Sequence, residues 1–249
     1  LIGRQPISPN IDDIASSITG KVVLVTGAGG SIGSQLCRQV FRFDPARLVM
    51  TDRDESGLHA TELGLEGSAL LTSDDLVLGD LRDPAFIDSL VAEVKPDIIF
   101  HAAALKHLTF LERFPEQAVR TNVGASLDLL EAAVTHDVES FVHISTDKAA
   151  GATSVLGRTK FSIERAIASV AEETGRRYMS VRFGNVLGSR GSVLETFVAQ
   201  VAAGDPVTVT DPEVTRYFMT ADEACELVLQ AAAIGGPGET LVLDMGEPI

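Results

Sequence analysis

Residues 22–36 read VVLVTGAGGSIGSQL, and this stretch decides the fold. Its first five residues are apolar or β-branched and have the length of a buried strand. Glycines follow at 27, 30 and 33, and SIGSQL opens a helical pattern. Glycines in that setting make a tight turn, let a pyrophosphate approach bare backbone, and let the helix pack closely on the strand. The positive end of the helix then faces the phosphates. Gly27, Gly30, Ser31, Ile32 and Gly33 are therefore candidate dinucleotide contacts.

Working outward, the runs RLVMT (47–51), DLVLG (75–79), DIIFH (97–101), SFVHIS (140–145) and YMSVRF (178–183) have strand character. Helical patterns near 31–43, 54–65, 83–93, 115–136 and 155–174 separate them. Such alternation predicts an α/β protein with a doubly wound parallel sheet of the Rossmann type. After Phe183 the pattern loosens into a helix near 193–203, a short strand near 207–209, a helix at 221–233 and a strand at 240–244. The expected organisation is a lead-in linker over 1–18 and a dinucleotide-binding domain over 19–183, with 221–234 packing back on it. Residues 184–220 and 235–249 would form a smaller C-terminal substrate-binding lobe, cut short. The chain opens on Leu1 and stops at Glu247-Pro248-Ile249, so a piece of a longer protein is expected.

Composition narrows the partners. With 35 acidic against 20 basic residues the net charge is −15, which repels nucleic acid and anionic lipid. An anionic ligand must then be held by local arginines, lysines and helix N-termini. Cys37 and Cys225 lack metal-ligand spacing and read as buried reduced thiols, and no metal site is expected. No apolar run reaches the roughly 18 residues that span a bilayer, and no signal peptide opens the chain. This segment is expected to be cytoplasmic and to make no membrane contact of its own.

Asp52 ends the second strand, nineteen residues beyond Gly33, where a carboxylate accepts the hydroxyls of an adenosine ribose and repels a 2′-phosphate. That favours NAD; Arg53 beside it could instead hold a 2′-phosphate, so NADP stays open. Asp80, followed by Leu81, is placed either to reach the adenine edge or to cap the helix before Pro84. Ala102, Ala103 and Ala104 leave room at the nicotinamide side.

The motifs TGAGGSIGSQL, GDLRD, HAAALKH, TNVGAS, STDKA, SVLGRTK, RFGNVLGSRGSV and TRYFMT occur in this order. Together they resemble an extended short-chain dehydrogenase/reductase, and within that group the UDP-N-acetylhexosamine 4,6-dehydratases of bacterial polysaccharide biosynthesis, over residues 20 to 249. The resemblance implies a closed redox cycle on UDP-N-acetylglucosamine, with oxidation at C4, loss of water across C5 and C6, and reduction at C6; a 4-epimerase or reductase of the same fold, or a nucleotide-binding regulatory module without turnover, stays open. It implies Asp147 as the acid for the C6 oxygen, Lys148 as the base at C5, Thr146 as a hydrogen bond to the C4 oxygen, and Lys160 on the nicotinamide ribose. These acid and base roles require burial to raise one group and lower the other. Asn122, in TNVGAS, is implied as a cofactor contact. Lys106 and Asn185 are implied at the sugar, Arg190 and Arg216 on its diphosphate, and His107 either there or in a structural role. Leu156 departs from the general pattern, which has tyrosine four residues before the lysine; the large membrane-anchored dehydratases resemble this chain in carrying an apolar residue there. The opening LIGRQP resembles the linker after their membrane helices, which implies a catalytic domain tethered at the cytoplasmic face of the bacterial inner membrane. A homo-oligomer is expected.

Overall fold

A computed structural model describes residues 9–209 and 211–248. Its strands are β1 (Val22–Thr26), β2 (Arg47–Asp52), β3 (Leu76–Leu78), β4 (Ile98–His101), β5 (Ser140–Thr146), β6 (Arg177–Phe183), β7 (Asn185–Val186), β8 (Phe218–Met219) and β9 (Thr240–Val242). Its helices are α1 (Ile11–Ile18), α2 (Ser31–Phe41), α3 (Glu55–Glu66), α4 (Pro84–Val94), α5 (Leu108–Arg113), α6 (Pro115–Ala118), α7 (Ala125–Thr135), α8 (Val155–Thr174), α9 (Val193–Ala203) and α10 (Ala221–Ile234). Seven strands form one parallel sheet in the order β3-β2-β1-β4-β5-β6-β9. The order reverses between β1 and β4, and ligands of such sheets bind in the crevice beyond the carboxyl ends of the strands there.

Alternation along each strand feeds two cores. Val23, Val25, Phe100, Val142 and Val181 face α1, α2 and α10, while Leu24, Ile99, Phe141 and Tyr178 face α4, α7 and α8. Burial on both faces explains why these strands read as continuous apolar runs. The helical path expected over 115–136 is present in three registers, with a π-helical turn over Val119–Gly124 between α6 and α7.

Three expectations are corrected. Residues 11–18 are no linker: Asn10 caps α1 by accepting from the Asp12 N–H, and Ile14 and Ile18 are buried against α10. Residues 1–8 lie outside the described residues. Residues 240–242, assigned to the substrate lobe, are β9 on the edge of the main sheet. The strand expected at 207–209 does not form; these residues are exposed and have no strand beside them, and β7 pairs with Phe218–Met219 instead. Among the described residues no helix is long and apolar enough to cross a membrane.

Candidate active site

The glycine loop builds one end of the site. Gly27 has φ +69°, and a side chain there would meet the Ala103 backbone at 2.6 Å. A side chain at Gly33 would lie 1.9 Å from the Gly27 carbonyl oxygen, so α2 can start this close to β1 only with glycine. Gly30, the N-cap of α2, supplies no side-chain acceptor, and Gly30 to Gly33 line an open cavity of about 660 Å³. That leaves the first-turn N–H groups of α2 available to an anion.

A smaller cavity of about 140 Å³ adjoins it, lined by Gly27, Asp52, Arg53, Asp80, Leu81 and Ala102 to Ala104. Asp52 Oδ2 accepts from the Gly29 N–H at 2.9 Å and Oδ1 from the Asp54 N–H at 3.0 Å, which ties the end of β2 to the glycine loop. A carboxylate has about four acceptor positions, so two remain for a ribose. Asp80 does not cap α4; Asp83 does, accepting from the Ala85 N–H at 3.0 Å. Asp80 instead pairs with Arg82, whose hydrogen bonds hold its carboxyl down at about pKa 2, and lies 3.8 Å from Arg53. Thr121, which sequence reasoning passed over, lines this cavity with a buried hydroxyl that has no partner among the described residues.

Asn122 is corrected. It is fully buried, lines neither cavity, and holds the 102–107 loop from behind: Oδ1 accepts from the Leu105 N–H at 2.8 Å and Nδ2 donates to the Leu105 carbonyl at 2.9 Å.

The larger cavity is walled by the end of β5, the first turns of α8 and the loop after β6. Thr146, Lys148, Leu156, Lys160, Lys106, His107, Asn185, Arg190 and Arg216 all line it. Lys148 Nζ donates to Asp147 Oδ1 at 2.9 Å and to Asn185 Oδ1 at 3.1 Å, and the Thr146 hydroxyl donates to the same Asp147 oxygen at 2.9 Å. The expected apolar enclosure of this pair is not found. The Asp147 and Lys148 side chains keep 31% and 24% of their exposure and form an ion pair. Asp147 does not line the cavity, and its Oδ2 turns toward Gly184.

Lys160 is buried, donates from Nζ to the Ile144 carbonyl at 2.7 Å, and is pushed down to about pKa 8 by burial, against the opposing charge of Glu164. Leu156, one turn earlier, is also buried and packs with Leu111 and Ala118. Burial likewise lowers Lys106, with Glu195 raising it and Arg190 adding to the depression. His107 precedes α5 and sets its ring edge-on to Phe110 at 6.2 Å.

The two arginines do not share a position. Arg190 reaches the glycine loop, donating from its backbone N–H to Ser31 Oγ at 2.9 Å, from Nη1 to Asp54 Oδ2 at 3.1 Å, and from Nη2 to the Gly29 carbonyl. Arg216, which lines the same cavity, is exposed and donates to the Thr215 carbonyl. His101 and His143 are buried and burial lowers both, while His136 bonds Asp88. Among the described residues no group of His, Cys, Asp or Glu could hold a metal ion.

A glycine-loop parallel sheet, a cavity at its switch point and a buried lysine on the helix after the fifth strand define a short-chain dehydrogenase/reductase domain. The chain belongs to the polysaccharide biosynthesis protein family, which matches residues 23–249. It is 43% identical over its whole length to the capsular polysaccharide biosynthesis protein CapD of Staphylococcus aureus and spans 42% of that relative's length. It is 33% identical to a UDP-glucose 4-epimerase of Rickettsia prowazekii, over 89% of this chain and 65% of that one. The solved structure of Pen from Bacillus thuringiensis superposes with a TM-score of 0.83 at 32% identity, covering 92% of this chain and 70% of that one.

Proposed function

We propose that this chain is the catalytic domain of a nucleotide-sugar 4,6-dehydratase that converts UDP-N-acetylglucosamine to a UDP-4-keto-6-deoxy-N-acetylhexosamine. The observation that carries the reading is the Thr146–Asp147–Lys148–Asn185 hydrogen-bonded group, in which Thr146, Lys148 and Asn185 line the cavity and Asp147 bonds the first two, at a site whose α8 position is the aliphatic Leu156. A proton-handling pair stands where a tyrosine is lacking. The CapD relative supports a role in polysaccharide biosynthesis, and the Rickettsia epimerase supports a UDP-sugar as substrate.

The residues present fit a dinucleotide. Gly27 and Gly33 of the cradle admit no side chain, and Thr121 offers an unpartnered hydroxyl in the cavity that Asp52 and Ala103 also line. NAD, or NADP with Arg53 on its 2′-phosphate, would supply reversible hydride transfer at C4 and C6 of the sugar. Lys160 would hold the ribose on the nicotinamide side.

The elimination uses the chain's own groups. A carbonyl at C4 makes the C5 proton acidic, and Lys148 as amine removes it. Asp147 as carboxylic acid protonates the departing C6 oxygen, so the C6–O bond breaks and water leaves. The amine has gained a proton and the acid has lost one, which leaves the ammonium–carboxylate pair seen at 2.9 Å. As C6 is reduced the Lys148 ammonium returns its proton to C5, and the proton leaving the C4 hydroxyl of the next substrate passes through Thr146 to Asp147, which restores both working forms. Thr146 steadies the shared Asp147 oxygen and orients the C4 oxygen. Asp147 must turn toward the cavity for this.

Incubation of the protein and NAD with UDP-N-acetylglucosamine tests the reading by mass spectrometry. A product lighter by one water is expected, and Lys148→Met is expected to lower its formation by roughly 10²–10⁴-fold, the usual worth of a positioned acid or base. Conversion to the isobaric 4-epimer, with no loss of water, would overturn it in favour of an epimerase.

A further inference from the structure

One buried charge cluster takes no part in this chemistry. Glu164 lies one helical turn beyond Lys160 on α8 and is 4% exposed. Its Oε1 accepts from Ser145 Oγ at 2.5 Å and from Arg182 Nε at 2.8 Å, and its Oε2 accepts from Arg182 Nη2 at 2.5 Å. The carboxylate thus joins α8 to β5 and β6. Burying such a pair is expensive, and apolar residues of the same volume hold a fold as well or better, so stability alone does not account for it.

Lys160 supplies the reason. Its ammonium is buried and donates to one carbonyl, that of Ile144, and a neutral carbonyl does not balance a charge. His101 from β4 and His143 from β5 also feel its charge, and both are held neutral by burial across the working pH range. Neither contributes a negative charge. The carboxylate whose field acts on Lys160 is Glu164, since residues four apart on a helix are neighbours. Arg182 on β6 pairs with that carboxylate in the interior. Ser145, bonded to the same carboxylate, is the residue before Thr146.

We propose that Glu164, clamped by Arg182 and Ser145, is a positioning residue: the counter-charge that keeps Lys160 an ammonium at the cavity wall and ties it to the end of β5 where Thr146, Asp147 and Lys148 follow. The consequence for catalysis, though not the charge relation itself, rests on the proposed role of Lys160 at the nicotinamide ribose. A clamp that merely held the fold would leave the titration of Lys160 where it is.

The test follows the Lys160 side chain by NMR of protein labelled with ¹³C-lysine, its signal assigned by its loss in Lys160→Met. Glu164→Gln keeps the volume and keeps an acceptor for Ser145 and Arg182 but removes the charge. The Lys160 midpoint is expected to fall by at least about one pH unit, a tenfold loss of proton affinity. The double variant Glu164→Gln/Arg182→Met removes the carboxylate charge without leaving Arg182 unpaired, and its midpoint is expected to fall in the same direction. An unchanged midpoint in either folded variant overturns the proposal. Affinity for NADH, read by fluorescence across the same pH range, should lose its alkaline limb at correspondingly lower pH. If the midpoint moves and the NADH profile does not, the counter-charge stands and the role given to Lys160 falls.

Discussion

Gly157→Ala sets two physical effects against each other at the site. Gly157 lies in the first turn of α8, where its N–H donates to the Ser154 hydroxyl at 3.1 Å. Alanine is the better helix former by up to about 1 kcal/mol, so propensity alone forecasts a more stable protein. The surroundings say otherwise: a Cβ on Gly157 would lie 2.3 Å from the Lys148 carbonyl oxygen, 3.1 Å from the Lys148 carbonyl carbon and 3.3 Å from Ala152 Cα. The first contact is too short by roughly 1 Å against the separation of about 3.5 Å at which heavy atoms rest. Every one of those atoms is backbone, so no rotamer change relieves the clash. Overpacking of this kind costs about 1–3 kcal/mol, and set against the helix gain a clash this short leaves a net loss of up to roughly 2 kcal/mol. For a domain of this size that lowers Tm by up to roughly 8 °C. Function should suffer more. The clash pushes the turn carrying Asp147 and Lys148 off α8, and a misplacement of about 1 Å in a catalytic group costs on the order of 10²-fold in rate. Thermal unfolding and water-loss turnover measured on the same preparation check both numbers. A variant that melts at or above the wild-type temperature with full turnover would refute the packing argument.

Gly33→Ala places a methyl 1.9 Å from the Gly27 carbonyl and is expected to abolish NADH binding by calorimetry, with a loss of stability larger than for Gly157→Ala. Lys160 gives a pH signature: burial holds it near 8 in the fold, whereas the unfolded chain keeps the proton to 10.5. Between those values the unfolded state binds more protons, so folding stability rises with pH by roughly 3 kcal/mol, and below the folded value this gain is absent. Urea unfolding at about pH 7 and about pH 10 should show Lys160→Met lacking that rise relative to wild type. Arg190→Ala should change unfolding stability by less than about 1 kcal/mol because the pair with Asp54 is exposed, while NADH affinity falls. Unchanged affinity would return Arg190 to the sugar diphosphate.

The apolar runs of the central strands are legible because burial on both faces leaves few polar positions to confuse the period, and the glycine loop marks the end of the sheet where a ligand is expected. Elements whose stability comes from distant partners are not legible in that way. IDDIASSI has apolar residues at 11, 14 and 18, and what makes it part of the fold is α10, some 200 residues later in the chain. The pairing of β7 with β8 is two residues long and joins segments with no periodic signal. At the site, Thr146, Lys148, Lys160 and Asn185 line the cavity while Asp147 and Asn122 do not, and the bonds among them carry no sequence signal. Asn122 looks like a ligand contact in TNVGAS and turns out to brace Leu105 across a π-helical turn that no pattern announces. Glu164 reads as one more acidic position on a helix of mixed polarity, and only the arrival of Arg182 from β6 shows that it is an interior charge.

The leucine at 156 follows from its neighbours. Leu111 and Ala118 pack on it directly, with Leu105, Leu108 and Val155 around them, and none of these side chains could accept from or donate to a hydroxyl. A phenol placed there would have to reach the cavity for a partner or leave a polar group unpaired at a cost of about 1–3 kcal/mol. Under the proposed reading the proton work is therefore done from β5, where Thr146, Asp147 and Lys148 already bond one another and Asn185 anchors the amine. Removing the phenol from α8 has a second effect. A tyrosine four residues before Lys160 would be a hydrogen-bonding neighbour on its own helix face, and without it the ammonium has the Ile144 carbonyl and the field of Glu164. Loss of the aromatic hydroxyl and dependence on a buried carboxylate are thus two sides of one arrangement, and restoring the first by Leu156→Tyr should lessen the shift that Glu164→Gln produces at Lys160.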